Sequence, residues 1–93
     1  MPYSVRYHPA VRDEDLPRLD VSMRERLRRA IEERLMTEPH RYGLPLRKTL
    51  KGYWKLRVGD YRVVYRLGEG QEVIVLMICH RKDVYQKVVS RTS

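Results

Sequence analysis

Two short stretches of this chain hold the side chains best suited to chemistry. In the first, Lys55, Arg57, Arg62 and Arg66 fall on alternate positions either side of Gly59-Asp60; in the second, His80, Arg81 and Lys82 stand just ahead of Tyr85. Arginine offers a planar fork of donors to a phosphate, lysine a point charge, and histidine or tyrosine a proton to give or take. Those are the parts needed to break an RNA phosphodiester through its own 2′-hydroxyl. The hydroxyl must lose a proton, the pentacovalent phosphate needs its extra charge stabilised, and the 5′-oxygen must gain a proton as it leaves. In such a site Arg57, Arg62 and Arg81 would hold the phosphate, Lys55 would stabilise charge or act as base, and His80 or Tyr85 would exchange the proton. Tyr53 or Tyr85 would also offer a ring for a base to stack on. No metal or other cofactor is expected: His8, His40 and His80 are dispersed, Cys79 lies in an apolar run, and the basic half has no clustered carboxylates.

The elements that must position these groups follow from pattern. Two alternating runs flank Gly59-Asp60, and glycine at the first turn position suits a two-residue type II′ hairpin. Register is then arithmetic: Val58 faces Tyr61, Arg57 faces Arg62, Leu56 faces Val63 and Lys55 faces Val64. Trp54, Leu56, Val58, Tyr61, Val63, Tyr65 and Leu67 share a core face. Tyr53, Lys55, Arg57, Arg62, Val64 and Arg66 share the other. Setting Arg57 against Arg62, with Lys55 on the diagonal, costs about 0.2–1 kcal/mol per like-charged pair. Long basic chains splaying into water would be the bland explanation. With no carboxylate on that face, an external polyanion is the natural counter-charge.

The charge distribution agrees. Of the net charge of +8, residues 1–46 contribute nine Arg/Lys against eight Asp/Glu and residues 47–93 eleven against four. Ninety-three residues suffice for one domain, spanning 1–93, with one modest core. The N-terminal residues lack the features of a secretory signal and no apolar run is long enough to span a bilayer, so a cytoplasmic protein without membrane contact is expected.

Elsewhere, residues 3–7 alternate as a half-buried strand ended by Pro9, and residues 10–16 read as a short helix stopped by Pro17. Residues 22–36 form the strongest helix, with Ser22 and Glu25 as a capping box and Met23, Leu27, Ala30, Ile31 and Leu35 on one face. Its outer face is an arginine and glutamate lattice, read as solvated because Glu25, Glu32 and Glu33 offset Arg24, Arg26, Arg28, Arg29 and Arg34. Residues 37–45 have loop composition. The run from Val73 through Cys79 predicts a strand buried on both sides, with Cys79 a small core residue. Asp83 and Gln86 have the spacing of a second capping box, starting a short helix that carries Tyr85.

With these elements in order, the chain resembles the RelE/ParE toxin superfamily over nearly its whole length. The resemblance is carried by residues 50–65, opening Leu50-Lys51-Gly52-Tyr53-Trp54-Lys55 and closing Arg62-Val63-Val64-Tyr65, and by His80-Arg81-Lys82-Asp83-Val84-Tyr85. It implies an α+β fold: a small antiparallel sheet of about four strands, two N-terminal helices packed on one face, a short C-terminal helix, and a basic groove on the other face. It also implies a toxin that cleaves messenger RNA on the ribosome without metal, with contacts to 16S ribosomal RNA, and that is silenced in a complex with a cognate antitoxin. By position the resemblance assigns catalysis to Lys55, Arg62, His80, Arg81 and Tyr85. Lys48, Lys51, Tyr53, Arg57, Arg66 and Lys82 are expected to bind RNA phosphates. Tyr53 stands where RelE carries a lysine, with Lys51 or Lys48 as substitutes, and residues 43–52 hold no glutamate of the kind some members use as base. Two other readings stay open: a ParE-like poison of DNA gyrase that cuts nothing, and a toxin-like binder of RNA or antitoxin without turnover.

Overall fold

The hairpin forms in the register its sequence dictates. In the computed structural model, which describes residues 2–46 and 52–92, β3 (Tyr53–Val58) and β4 (Tyr61–Leu67) pair Val58 with Tyr61, Arg57 with Arg62, Leu56 with Val63 and Lys55 with Val64. Gly59 takes φ 60°, the left-handed value that the first turn position requires. β5 (Glu72–His80) pairs antiparallel with β4 and is flanked on its other side by β1 (Ser4–Tyr7), so it is an inner strand as its apolar run predicts. A two-residue strand, β2 (Leu44–Pro45), completes the order β1-β5-β4-β3-β2.

The α+β class holds, with two amendments to the sheet. Among the described residues it has five strands, because two residues of β2 are too few to show alternation. It is also not wholly antiparallel: β1 runs parallel to β5, the chain between them having crossed the helical layer and the hairpin.

The helical layer starts with a wide helical turn, Val11–Asp15, and a tight one, Leu16–Arg18, the second accommodating Pro17 near its start. Helix α1 (Val21–Ala30) follows and continues through a wider turn, Ile31–Leu35. Its cap is Asp20, whose Oδ1 accepts the Met23 N–H at 2.7 Å. Ser22 therefore lies inside the helix, and the Ser22/Glu25 capping box is not the start signal. A carboxylate at the positive end of the helix is the stronger cap. Leu27, Ala30, Ile31 and Leu35 are buried against Leu56, Val58, Val63, Tyr65, Val73, Val75 and Ile78, the first core. The 37–45 segment is not all loop: Pro39 opens a single turn, α2 (Pro39–Tyr42), and the Tyr65 hydroxyl donates to its Pro39 carbonyl at 2.6 Å. A Cβ on Gly43 would land on that hydroxyl. Gly43→Ala is therefore expected to lower stability by about 1–3 kcal/mol, read as a fall in urea midpoint.

The second sheet face is not open throughout. Helix α3 (Val84–Thr92) lies on it, and Val84 and Val88, one turn apart, bury against Val64, Leu76, Met77 and Cys79. Each valine contributes about 1.5–3 kcal/mol if fully removed from water. Val64, grouped by alternation with the basic residues, is instead completely buried under this helix. Cys79 is a core residue as expected, and burial pushes its thiol up from 9.0 to about 11. The folded state holds that proton more tightly, so the associated stability is complete below pH 9.0 and is lost as pH rises towards about 11. At pH 8 the native thiol should resist iodoacetamide, and the urea-unfolded chain should react.

Among the described residues one charged residue, Asp15, is buried. A register skip between Val64 and Tyr65 leaves Leu76 as a bulge in β5. There Asp15 takes a bidentate grip from Arg91 of α3, at 2.7 and 3.1 Å, and its Oδ2 also accepts the Ile78 N–H at 2.9 Å. Arg91 Nη1 further donates to the Leu76 carbonyl at 3.2 Å. The pair thus ties the last turn of α3 to the stretch of β5 that lies beyond its pairing with β1.

Candidate active site

Two elements that are far apart in sequence meet at one contact. Lys55 projects from the middle of β3, and its Nζ lies 5.7 Å from the centre of the Tyr85 ring. Tyr85 is there because Val84 is anchored in the second core, which leaves the next residue of the first turn at the surface beside the hairpin. Such an exposed cation–ring contact is worth about 0.5–1 kcal/mol. Its larger consequence is geometric, since an ammonium and a phenol now share one site.

The arginines are organised by the hairpin turn. Arg62 is half-buried, and its Nη1 donates to the carbonyls of Gly59 at 3.0 Å and Tyr61 at 2.9 Å. Nε and Nη2 remain for a ligand. Arg81 is held beside it through its backbone N–H, which donates to the Asp60 carbonyl at 2.9 Å. The Arg81 Nε lies 3.9 Å from the Asp60 carboxylate, both side chains being exposed, so this ion pair is worth little and is readily exchanged for a phosphate. Lys55 stands on the diagonal from Arg62, within reach of a long side chain. Lys55 thus meets Tyr85 directly, and Arg62 and Arg81 are both tied to the Gly59-Asp60 turn of the same hairpin.

Other expected site residues are placed differently. His80 pairs with Tyr61, and its ring lies edge-on to that tyrosine at 5.8 Å, on the face of the sheet that bears the helical layer. Lys55 and Arg62 are on the opposite face, so His80 does not join them. Its Nδ1 accepts the Lys82 N–H at 3.3 Å and caps the turn Arg81–Asp83. α3 then begins at Val84, directly after Asp83, where the Asp83/Gln86 spacing puts its start. Lys82 is exposed at the rim. Tyr53 leans on the second core, and Arg66, its cross-strand partner, stands four residues from Arg62, about 13 Å along the strand. Arg57 is directly opposite Arg62 and exposed, and it also lines a groove beside α1. Lys48 and Lys51 lie outside the described residues. Among the described residues no three His, Cys, Asp or Glu side chains are grouped to hold a metal.

Sequence reasoning missed the support of the site. Arg91 follows Val84 and Val88 at helical spacing, on the face of α3 that is buried. A charge on an apolar face demands a buried partner, and that signal was available. Nothing in the pattern pointed to Asp15 as that partner.

A family model described as the ParE toxin of the type II toxin-antitoxin system parDE matches residues 5–85. The chain belongs to this toxin family. Among its relatives, a toxin named RelG from Mycobacterium tuberculosis is 38% identical over 92 residues, spanning 94% of this chain and all of its own. The toxin-antitoxin complex RelBE2 of Mycobacterium tuberculosis holds a chain of the same fold, with a TM-score of 0.80 and 36% identity over 89% of this chain and 95% of that one. Mutant Escherichia coli RelE in the free state superposes with a TM-score of 0.72, covering 98% of both chains, and at 20% identity it shares the fold. The toxin is thus a member of the RelE/ParE superfamily and shares the fold of these solved relatives.

Proposed function

We propose that this toxin is a metal-independent, ribosome-dependent endoribonuclease that cuts messenger RNA and thereby stops translation. The observation that carries this reading is the Lys55–Tyr85 contact, which joins the hairpin cations to a group able to exchange a proton. Arg62 and Arg81 hold the non-bridging phosphate oxygens. The 2′-hydroxyl gives its proton to solvent water as its oxygen attacks phosphorus, and the P–O5′ bond breaks. Lys55 stabilises the charge that builds on the pentacovalent phosphate, and the Tyr85 hydroxyl gives a proton to the departing 5′-oxygen. The charge stabilisation that a metal would supply comes from Lys55, Arg62 and Arg81. With His80 on the other face, the proton exchange falls to Tyr85.

The reading includes partners. RelBE2 is a toxin-antitoxin complex, and a cognate antitoxin is proposed to silence this toxin in a hetero-oligomer. Messenger RNA in the ribosome, with contacts to 16S ribosomal RNA, is the proposed substrate, which implies action in the cytoplasm. Among the described residues no helix is long and apolar enough to cross a membrane.

The ParE description of the matching family favours one alternative, inhibition of DNA gyrase through protein contacts. Primer extension on a reporter messenger RNA in a translation extract, with and without ribosomes, separates the two. Cuts that require ribosomes support the nuclease. Intact messenger RNA together with inhibited gyrase supercoiling supports the alternative and overturns the nuclease.

A further inference from the structure

The arginines of α1 are interleaved with glutamates in sequence but not in space. Arg28 lies between Glu25 and Glu32 and pairs with both. Arg26, Arg29 and Arg34, at helical spacing on a different face, instead line a groove of about 590 Å³ between α1 and the β3 edge. Arg57 and Val58 form its other wall, and Glu33 is the carboxylate in it. Three arginines of the helix against one carboxylate leave this groove positive, with Arg57 at its border. The solvated-lattice reading of the helix therefore describes the Arg28 side and not this one.

The groove is continuous with the candidate active site at two points. Arg57 borders the groove and also stands opposite Arg62. Gly59 lies between them: Arg62 donates to its carbonyl, and the Arg26 guanidinium comes so close that a Cβ on Gly59 would stand 3.0 Å from it. At the far end Tyr42 is 46% exposed, with the Arg41 guanidinium 6.0 Å from its ring centre. From Arg26 to Arg34 the track runs about 12 Å along the helix.

We infer that this groove binds the single-stranded RNA flanking the scissile phosphate, with Arg26, Arg29, Arg34 and Arg57 on the backbone and Tyr42 stacked on a base. Guanidinium forks match phosphate oxygens, and a basic track with an exposed aromatic is how single strands are held without sequence readout. An acidic peptide would meet the same charge, but the continuity through Arg57 and Gly59 leads towards the site where RNA is proposed to be cut. The inference rests on that proposed function for its substrate class, and its test does not depend on cleavage.

The probe is a short single-stranded 2′-O-methyl oligonucleotide, which lacks the attacking hydroxyl, and the readout is fluorescence anisotropy across a salt series. The variant carries Arg26→Gln, Arg29→Gln and Arg34→Gln. A control of equal charge carries Arg12→Gln, Arg18→Gln and Arg24→Gln, and circular dichroism confirms that both fold. The groove variant should lose about tenfold or more in affinity and flatten the slope of log K against log salt by about 2, the control much less. Equal losses in the two variants, or no binding by the unaltered toxin, would overturn the inference. So would undiminished RNA binding by a groove variant that has lost its cognate antitoxin, because the groove would then be a protein seat. Loss of oligonucleotide binding by the groove variant of a toxin that cuts no RNA would leave the groove standing and sink the nuclease reading.

Discussion

Tyr85→Phe is expected to slow ribosome-dependent cleavage by about 10²–10⁴-fold, the range for removing a positioned proton donor, while leaving stability nearly unchanged. The substitution keeps the ring over which Lys55 sits and removes the hydroxyl, so it separates proton exchange from stacking. If Tyr85 did no more than stack, the phenylalanine variant would retain activity and an alanine variant would lose about 1–3 kcal/mol of RNA binding. Arg62→Ala should cost about 10²–10³ in rate, as for loss of one donor to a charge that develops in the transition state. It also removes the two hydrogen bonds to the turn carbonyls, so its stability should fall modestly, by about 0.5–1.5 kcal/mol for each. His80→Gln supplies the contrast. With its ring against Tyr61 on the other face of the sheet, that variant should lose less than about tenfold in single-turnover rate, although both residues come from the same short motif.

The largest stability effect should come from Asp15 or Arg91. The Asp15 side chain is 4% exposed and that of Arg91 13%, so truncating either to alanine strands a buried charge. The expected cost is about 3–5 kcal/mol, seen as a fall of more than about 12 °C in melting temperature. Buried ion pairs are often replaced without loss by apolar pairs of similar volume. This one should not be, because Asp15 also receives the Ile78 N–H and Arg91 also donates to the bulged Leu76 carbonyl. An Asp15→Leu, Arg91→Met double variant would leave those two backbone groups buried and unpaired, at about 1–3 kcal/mol each. Urea unfolding of the two single variants and the double checks this. A double variant as stable as the unaltered toxin would show that the backbone contacts contribute nothing.

Much of the hairpin was legible because three independent constraints agree there. Gly59 fixes the turn, period-two alternation fixes the faces, and register follows by counting, which is why every expected cross-strand pair forms. The inner position of β5 was equally plain from its unbroken apolar run. Features that depend on a distant partner were not legible. Val64 alternates with arginines and so reads as exposed, yet α3 covers it. His80 sits beside Arg81 in sequence, but strand parity sends its side chain to the opposite face from Lys55 and Arg62. The missed bulge at Leu76 changes that parity partway along β5, and no local residue announces it. Capping was misread once for a related reason: a matching spacing was available at Ser22, but Asp20 stands where the chain turns. The charge on α1 shows the same limit, since sequence order mixes what the helix separates.

Lys55, Arg62, Arg81 and Tyr85 are proposed to form one site where a 2′-hydroxyl attacks the adjacent phosphate. The most direct measurement is end analysis of a ribosome-bound messenger RNA after exposure to the toxin, with a matched substrate carrying 2′-deoxy at the scissile nucleotide. The expected products are a 2′,3′-cyclic phosphate and a 5′-hydroxyl, with no cleavage of the deoxy substrate and strongly reduced cleavage by the Tyr85→Phe variant. Products with a 3′-hydroxyl and a 5′-phosphate, or undiminished cutting of the deoxy substrate, would contradict it.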